Sequence, residues 1–145
     1  MAFNNNLASL RGTSYKGLLG VETATEYWGL STYSGFSPIF LVNDDSFGED
    51  GYESSFAFTI LAVPNVNKDN VVKFSGDLYV TDLEQTVCDM VRYNRHEFHL
   101  YETVLSAFDE DDCDKERLEK LARSYGIWEK MLDIYKRACE VEGEG

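Results

Sequence analysis

The chain is short of positive charge, and that shortage limits its binding partners. Among 145 residues it has 13 lysines and arginines against 26 aspartates and glutamates, a formal net charge of −13. Such a surface repels phosphate groups and anionic lipids, so we expect no direct binding to nucleic acid and none to a membrane. The same surface attracts a basic protein partner.

The small number of cysteines and the lack of a long apolar run indicate the cellular compartment. Cys88, Cys113 and Cys139 are widely spaced and form no Cys-x-x-Cys pair, which is typical of reduced thiols. The first residues have no apolar signal core, and no apolar run reaches the length of a membrane span. We therefore predict a cytoplasmic protein. Its 43% hydrophobic content is enough for one domain with a core.

Motifs that cradle nucleotides or activate a serine are also missing. The two histidines, His96 and His99, stand three residues apart beside glutamates, whereas zinc sites favour a spacing of four or additional thiolates. No carboxylate is marked as desolvated, so no acid–base pair can be selected. We predict no metal, no cofactor and no enzyme. A metal site at the histidines and an enzyme of unrecognised type are the less favoured alternatives.

The hydrophobic period is about two in the first half of the chain and about 3.6 after Val80. A short helix is predicted around 19–30, with Glu22 in its first turn, where an acid suits the helix dipole, and Gly29 as its left-handed end. Strands are predicted over 39–43, 56–63, 71–74 and 78–80. Four helices are predicted over 83–93, 97–108, 115–125 and 127–141, and Asp112 or Asp114 is expected to cap the third of them. Strands precede helices without alternating, so we predict an α+β fold with a small antiparallel sheet of about four strands. The predicted domain spans 15–140, after a lead-in (1–14) and before a flexible tail (141–145).

Two acidic segments are the candidate partner-binding residues. The first lies in a glycine-containing loop and the second between two predicted helices; together they comprise Asp44, Asp45, Glu49, Asp50, Asp109, Glu110, Asp111 and Asp112. Carboxylates also occur in solvated loops and at helix N-termini without binding anything. That ordinary explanation is the alternative for both segments.

The stretch VTDLEQTVCDMV joins the last strand to the first C-terminal helix. We expect Asp82 to cap this helix, with Gln85 as its capping-box partner, because acceptors at these positions satisfy free N–H groups. Thr86 and Asp89 then share a face beside the apolar residues that we expect to point inward, which are Leu83, Val87, Met90 and Val91. We expect them to act as a polar pin that joins the helix to the sheet, with Asp89 bound by a loop backbone or by Arg92.

This stretch, with Glu84, Thr86 and Asp89 as its structural motif, resembles the strand–helix junction of the AbiEi-type antitoxin and transcriptional-regulator family. That family reads Glu-Arg-Thr, an apolar residue, a further residue and Asp there, and Gln85 departs from it in place of Arg. GLLGVETATEYWGLS and DKERLEKLARSYGIWEKM resemble two of its other segments. The resemblance runs in order from about Tyr15 to Met131.

The resemblance implies a non-enzymatic, antitoxin-like domain that counters a nucleotidyltransferase-like toxin, often without a stable complex. About fourteen residues precede Tyr15, too few for the family's winged helix, so we expect the effector-type domain alone, without DNA binding. The alternative function is an acidic inhibitor of the kind that phages direct at host defence, such as an anti-CRISPR or anti-restriction protein. It would bind a basic, nucleic-acid-handling effector by mimicking nucleic acid.

Overall fold

The computed structural model describes residues 16–34, 37–43 and 59–144. These residues form five strands: β1 (Lys16–Leu19), β2 (Ile39–Asn43), β3 (Thr59–Val63), β4 (Val71–Ser75) and β5 (Asp77–Thr81). They also form five helices: α1 (Val21–Trp28), α2 (Leu83–Arg92), α3 (Glu97–Asp109), α4 (Lys115–Ser124) and α5 (Trp128–Glu144). The α+β class predicted from the sequence is confirmed. No helix among the described residues is both long and apolar enough to cross a membrane.

The sheet differs from the prediction of about four antiparallel strands. It has five strands in the order β3-β2-β1-β5-β4, and it is mixed. β1 is central, antiparallel to β2 and parallel to β5, while β2 and β3 are also parallel. The prediction was wrong because period-two alternation marks a strand but carries no information about its neighbour's direction. β1 itself is only four residues long, and its last residue, Leu19, falls within the helix predicted around 19–30.

The central strand β1 places apolar side chains on both faces of the sheet. Leu18 belongs to the larger core, which α2, α3, α4 and α5 complete with residues such as Val87, Val104 and Leu118. Leu19 belongs to a smaller core with Phe40, which α1 joins through Ala24. Successive strand residues point to opposite faces, so one short strand contributes to both cores.

The turn from β1 into α1 is tight. A Cβ atom on Gly20 would collide with the side chain of Leu41, a contact that glycine avoids. The next residue, Val21, has a φ of 44°, an uncommon and strained value for a β-branched side chain. Gly29 ends α1 in the left-handed conformation, as the sequence predicted.

The four C-terminal helices follow the predicted boundaries within a few residues. Asp82 caps α2 by accepting the N–H of Gln85, and Asp114 caps α4 by accepting the N–H of Arg117. The cap at Asp82 confirms the prediction, and Asp114 is one of the two caps that the sequence offered for α4. The last helix, α5, continues to Glu144, into the segment where the sequence predicted a flexible tail.

Candidate functional site

The junction of β5 and α2 is built around two buried hydroxyl groups. Thr81 ends β5, Thr86 lies in the first turn of α2, and their hydroxyl oxygens are 2.6 Å apart. The Thr86 hydroxyl also lies 2.7 Å from the carbonyl oxygen of Asp82, to which it donates. Both threonines are fully buried. Thr86 therefore joins the helix to the end of the sheet, at the place where the sequence predicted a polar pin.

An ion cluster, which we call the carboxylate clamp (Asp82, Glu84 and Arg117), joins α2 to α4. Nη2 of Arg117 lies 2.8 Å from Oδ2 of Asp82, and its Nη1 lies 2.5 Å from Oε1 of Glu84. The second oxygen of Glu84 accepts the N–H of Asp114 at 3.0 Å. Glu84 is buried. Its carboxylate binds the start of α4 at two places, the side chain of Arg117 and the backbone N–H of Asp114.

Asp89 lies at the centre of the buried part of α2. Its carboxylate is 1% exposed and accepts from Nε2 of Gln85 and from Nη1 of Arg92, each at 2.8 Å. Burial raises the pKa of Asp89 to about 6, and the bonds from Gln85 and Arg92 offset only part of that rise. Gln85 was expected to complete a capping box with Asp82; its side chain instead points towards Asp89.

The connector (residues 64–70) between β3 and β4 is held by the same side chains. Nη2 of Arg92 donates to the carbonyl oxygen of Asn65 at 2.9 Å, and its guanidinium lies 4.0 Å from the ring centroid of Tyr125. Oε1 of Gln85 accepts from Nδ2 of Asn70 at 2.9 Å. One short stretch of α2 therefore positions α4, the connector and the end of the sheet.

A second buried ion pair was missed by sequence reasoning. Arg95, just after α2, donates from Nε and Nη2 to the two oxygens of Glu22 in α1 at 2.7 and 2.9 Å. Glu22 is 5% exposed. The sequence predicted Glu22 only as a first-turn acid suited to the helix dipole. The partners are 73 residues apart, and no local spacing indicates such a pair.

The second acidic segment is exposed and lies at the end of α3 and in the turn before α4. Asp109, Glu110, Asp111 and Asp112 are all exposed, and Asp109 accepts from the Tyr135 hydroxyl at 2.8 Å. The first segment, with Asp44, Asp45, Glu49 and Asp50, lies outside the described residues. The structure therefore places one half of the predicted partner-binding set on the surface and says nothing of the other.

The histidine pair takes part in ordinary contacts. His96 caps α3 by accepting the N–H of Phe98, and Nδ1 of His99 lies 3.2 Å from Oε1 of Glu102. Glu102 also accepts from the backbone and hydroxyl of Thr32. Within residues 16–34, 37–43 and 59–144, no three His, Cys, Asp or Glu side chains cluster as metal ligands do.

An open cleft of about 580 Å³ lies beside the carboxylate clamp. Its lining carries charges of both signs, from Asp114 and Glu116 on one hand and Arg117 and Lys120 on the other.

The two cysteines near α2 are buried, and burial raises the pKa of both Cys88 and Cys113 to about 12. They are therefore neutral thiols that pack in the core.

No family model matches this chain, and no curated protein sequence matches it.

Proposed function

We propose that this chain is a non-catalytic, antitoxin-like interaction domain whose partner is a nucleotidyltransferase-like toxin. The observation that supports it is the use of the motif residues Glu84, Thr86 and Asp89. All three are buried. Thr86 bonds the end of β5 and Glu84 bonds the start of α4, while Asp89 bonds two side chains of its own helix that reach the connector. The residues that carry the resemblance thus act as a scaffold for the domain. In this proposal, the toxin contacts the surface around them.

A growth-rescue assay tests this proposal. The chain is co-expressed with a nucleotidyltransferase-like toxin from the same genome, and growth is compared with cells that carry the toxin alone. Restored growth is the expected result. A panel of such toxins that kills equally well with and without the chain, at matched expression, would rule the antitoxin role out.

A matched pair of variants links rescue to the scaffold. Glu84→Gln keeps the shape of the side chain but weakens the clamp on Arg117 and α4. Glu119→Gln removes one charge from α4, the helix that Glu84 holds, where Glu119 makes a largely exposed pair with Arg123. We expect rescue to fall for Glu84→Gln at high temperature and to stay intact for Glu119→Gln.

The second candidate is an acidic inhibitor of a basic, nucleic-acid-handling effector. The observation in its favour is the run of four exposed carboxylates from Asp109 to Asp112, on a chain with a net charge of −13. Such a run attracts a basic groove electrostatically, and added salt shortens the range of that attraction. This function requires a stable complex, whereas the antitoxin function does not.

Affinity capture at low salt, followed by a high-salt wash, separates the two candidates. Elution of a basic nucleic-acid-binding protein by salt would favour the inhibitor. The decisive variant changes Asp109, Glu110, Asp111 and Asp112 to Asn or Gln and should abolish capture. Its control makes the same charge change at four other exposed acids, Asp69, Asp77, Glu129 and Glu140, and should retain it.

A further inference from the structure

Asp89 and Arg92 form a link between the buried interior of α2 and the connector. The Asp89 carboxylate is 1% exposed, and Arg92 is the charged group that compensates it, at 2.8 Å. The same guanidinium also donates to the carbonyl oxygen of Asn65 in the connector. Tyr93 adds a bond from its hydroxyl to the carbonyl of Pro64. One arginine thus couples a buried acid to the backbone of a surface segment.

Several titratable groups surround this carboxylate. On its own helix lie Asp82, Cys88 and Arg92, with Tyr93 at the helix end. Two other elements place groups against the end of α2. From α4, Tyr125 stacks on Arg92, and from α5 the Lys130 ammonium contacts the carbonyl oxygen of Val91. Among these groups, Asp89 is the acid that is both buried and bonded to Arg92.

We propose that Asp89 is a proton-sensitive latch on the connector: when its carboxylate takes up a proton, Arg92 is released and the hold of α2 on Asn65 is lost. A neutral carboxyl group no longer attracts the guanidinium by charge. Arg92 then exchanges a charge-assisted bond at its inner end for water. The connector retains its remaining bonds, including the one from the Tyr93 hydroxyl to Pro64, but loses the bond from Arg92 to Asn65.

The direction of the effect follows from linkage. Burial raises the pKa of Asp89 from 3.8 to about 6, and Arg92 lowers it. A state in which Arg92 has left while Asp89 stays buried has a still higher pKa, so acid favours that state. A state in which water reaches Asp89 has a pKa nearer 3.8, so acid disfavours it. Protonation therefore loosens the connector without opening α2.

NMR of the wild-type chain tests the latch. The Asp89 carboxyl carbon reports its protonation, and the backbone N–H groups of Val66 and Asn70 report the connector, since both donate to side chains that fix it. Amide protection, corrected for the intrinsic exchange rate, is followed from about pH 7.5 to about pH 5. We expect connector protection to fall about tenfold with the midpoint of Asp89, the factor that one unit of pKa represents.

Two comparisons make the result decisive. Asp89→Asn should show weak connector protection at both ends of the range, whereas the exposed Asp77→Asn should keep the wild-type step. The amide of Met131, inside α5, serves as the reference for global unfolding. Three results would each overturn the latch. The first is connector protection that does not change as Asp89 titrates, and the second is a pH step that persists in Asp89→Asn. The third is an equal loss of protection at Met131.

Discussion

Two acidic regions of this chain, α2 and the segment from Asp109 to Asp112, have opposite environments. In α2 the carboxylates of Glu84 and Asp89 are buried and each faces an arginine. In the second region four consecutive carboxylates are exposed. Clusters that are similar in composition therefore have different consequences. The first contributes to stability and the second to the field that a partner meets.

The difference comes from what surrounds each carboxylate. A buried carboxylate needs donors, because its desolvation is costly, and α2 is supplied with them by Gln85, Arg92 and Arg117. An exposed carboxylate is solvated by water and needs no partner. Substitutions should consequently be costly in the buried set and nearly neutral for stability in the exposed set.

The largest effect is expected at the buried pair of Glu22 and Arg95. Arg95→Met leaves the Glu22 carboxylate buried without its donors, so the free energy of unfolding should fall by about 3 kcal/mol. Urea denaturation measures it. The control is Arg137→Met, because the pair with Asp133 is largely exposed and should change stability by less than about 1 kcal/mol.

A double substitution sharpens this prediction. Adding Glu22→Gln to Arg95→Met removes the orphaned charge, so it should recover part of the lost stability. If Arg95→Met and Arg137→Met cost the same, the contrast between buried and exposed charge would be wrong at this pair.

The next effect is expected at Asp89. Asp89→Ala leaves Gln85 and Arg92 without their shared acceptor, and we expect a loss of about 1–3 kcal/mol. Thermal unfolding measures it, with Asp77→Ala as an exposed control. An unchanged melting temperature in Asp89→Ala would show that this network does not stabilise the junction.

The pH dependence of stability should carry the signature of Asp89. Its folded pKa is raised, to about 6 from 3.8, so its contribution to stability is fully present below pH 3.8 and is lost as the pH rises through 6. Between about pH 5 and pH 7 the loss should be on the order of 1 kcal/mol. Subtracting the pH profile of Asp89→Asn isolates it. A difference that slopes the other way would contradict the raised pKa.

The smallest effect is expected in the exposed segment. Changing Asp109, Glu110, Asp111 and Asp112 to Asn or Gln should alter the free energy of unfolding by less than about 0.5 kcal/mol per position. Calorimetry of the variant and parent checks this at low and high salt. A large loss would mean that these carboxylates hold the fold together, which would weaken the case for a binding role.

Local features of the fold were predictable from local patterns. The four helices after Val80, the cap at Asp82 and the turn at Gly29 were predicted, and Asp114 was one of two predicted caps, because helix period, capping and left-handed glycine act within a few residues. The burial of Val87 and Met90 followed from the same periodicity. The surface position of Asp109 to Asp112 matched the expectation for a run of like charges.

The partners across the fold were not predictable in this way. Gln85 was assigned to Asp82 because the two are neighbours in sequence, whereas its side chain bonds Asp89, Asn70 and Tyr125. Arg95 finds Glu22, and Arg117 finds Glu84, across 73 and 33 residues. An arginine has the same local pattern whichever carboxylate it meets, so its partner depends on how the elements pack.

The sequence by itself determined the order of the elements from β2 onward, most of the helix ends and the acidic composition, since each depends on neighbouring residues or on composition. Tertiary structure alone decided that β1 lies at the centre of a mixed sheet and that α2 carries the buried network. Strand direction and burial both result from long-range packing, in which apolar area on two faces of β1 is removed from water at once. The same packing encloses Asp89 and thereby sets its pKa.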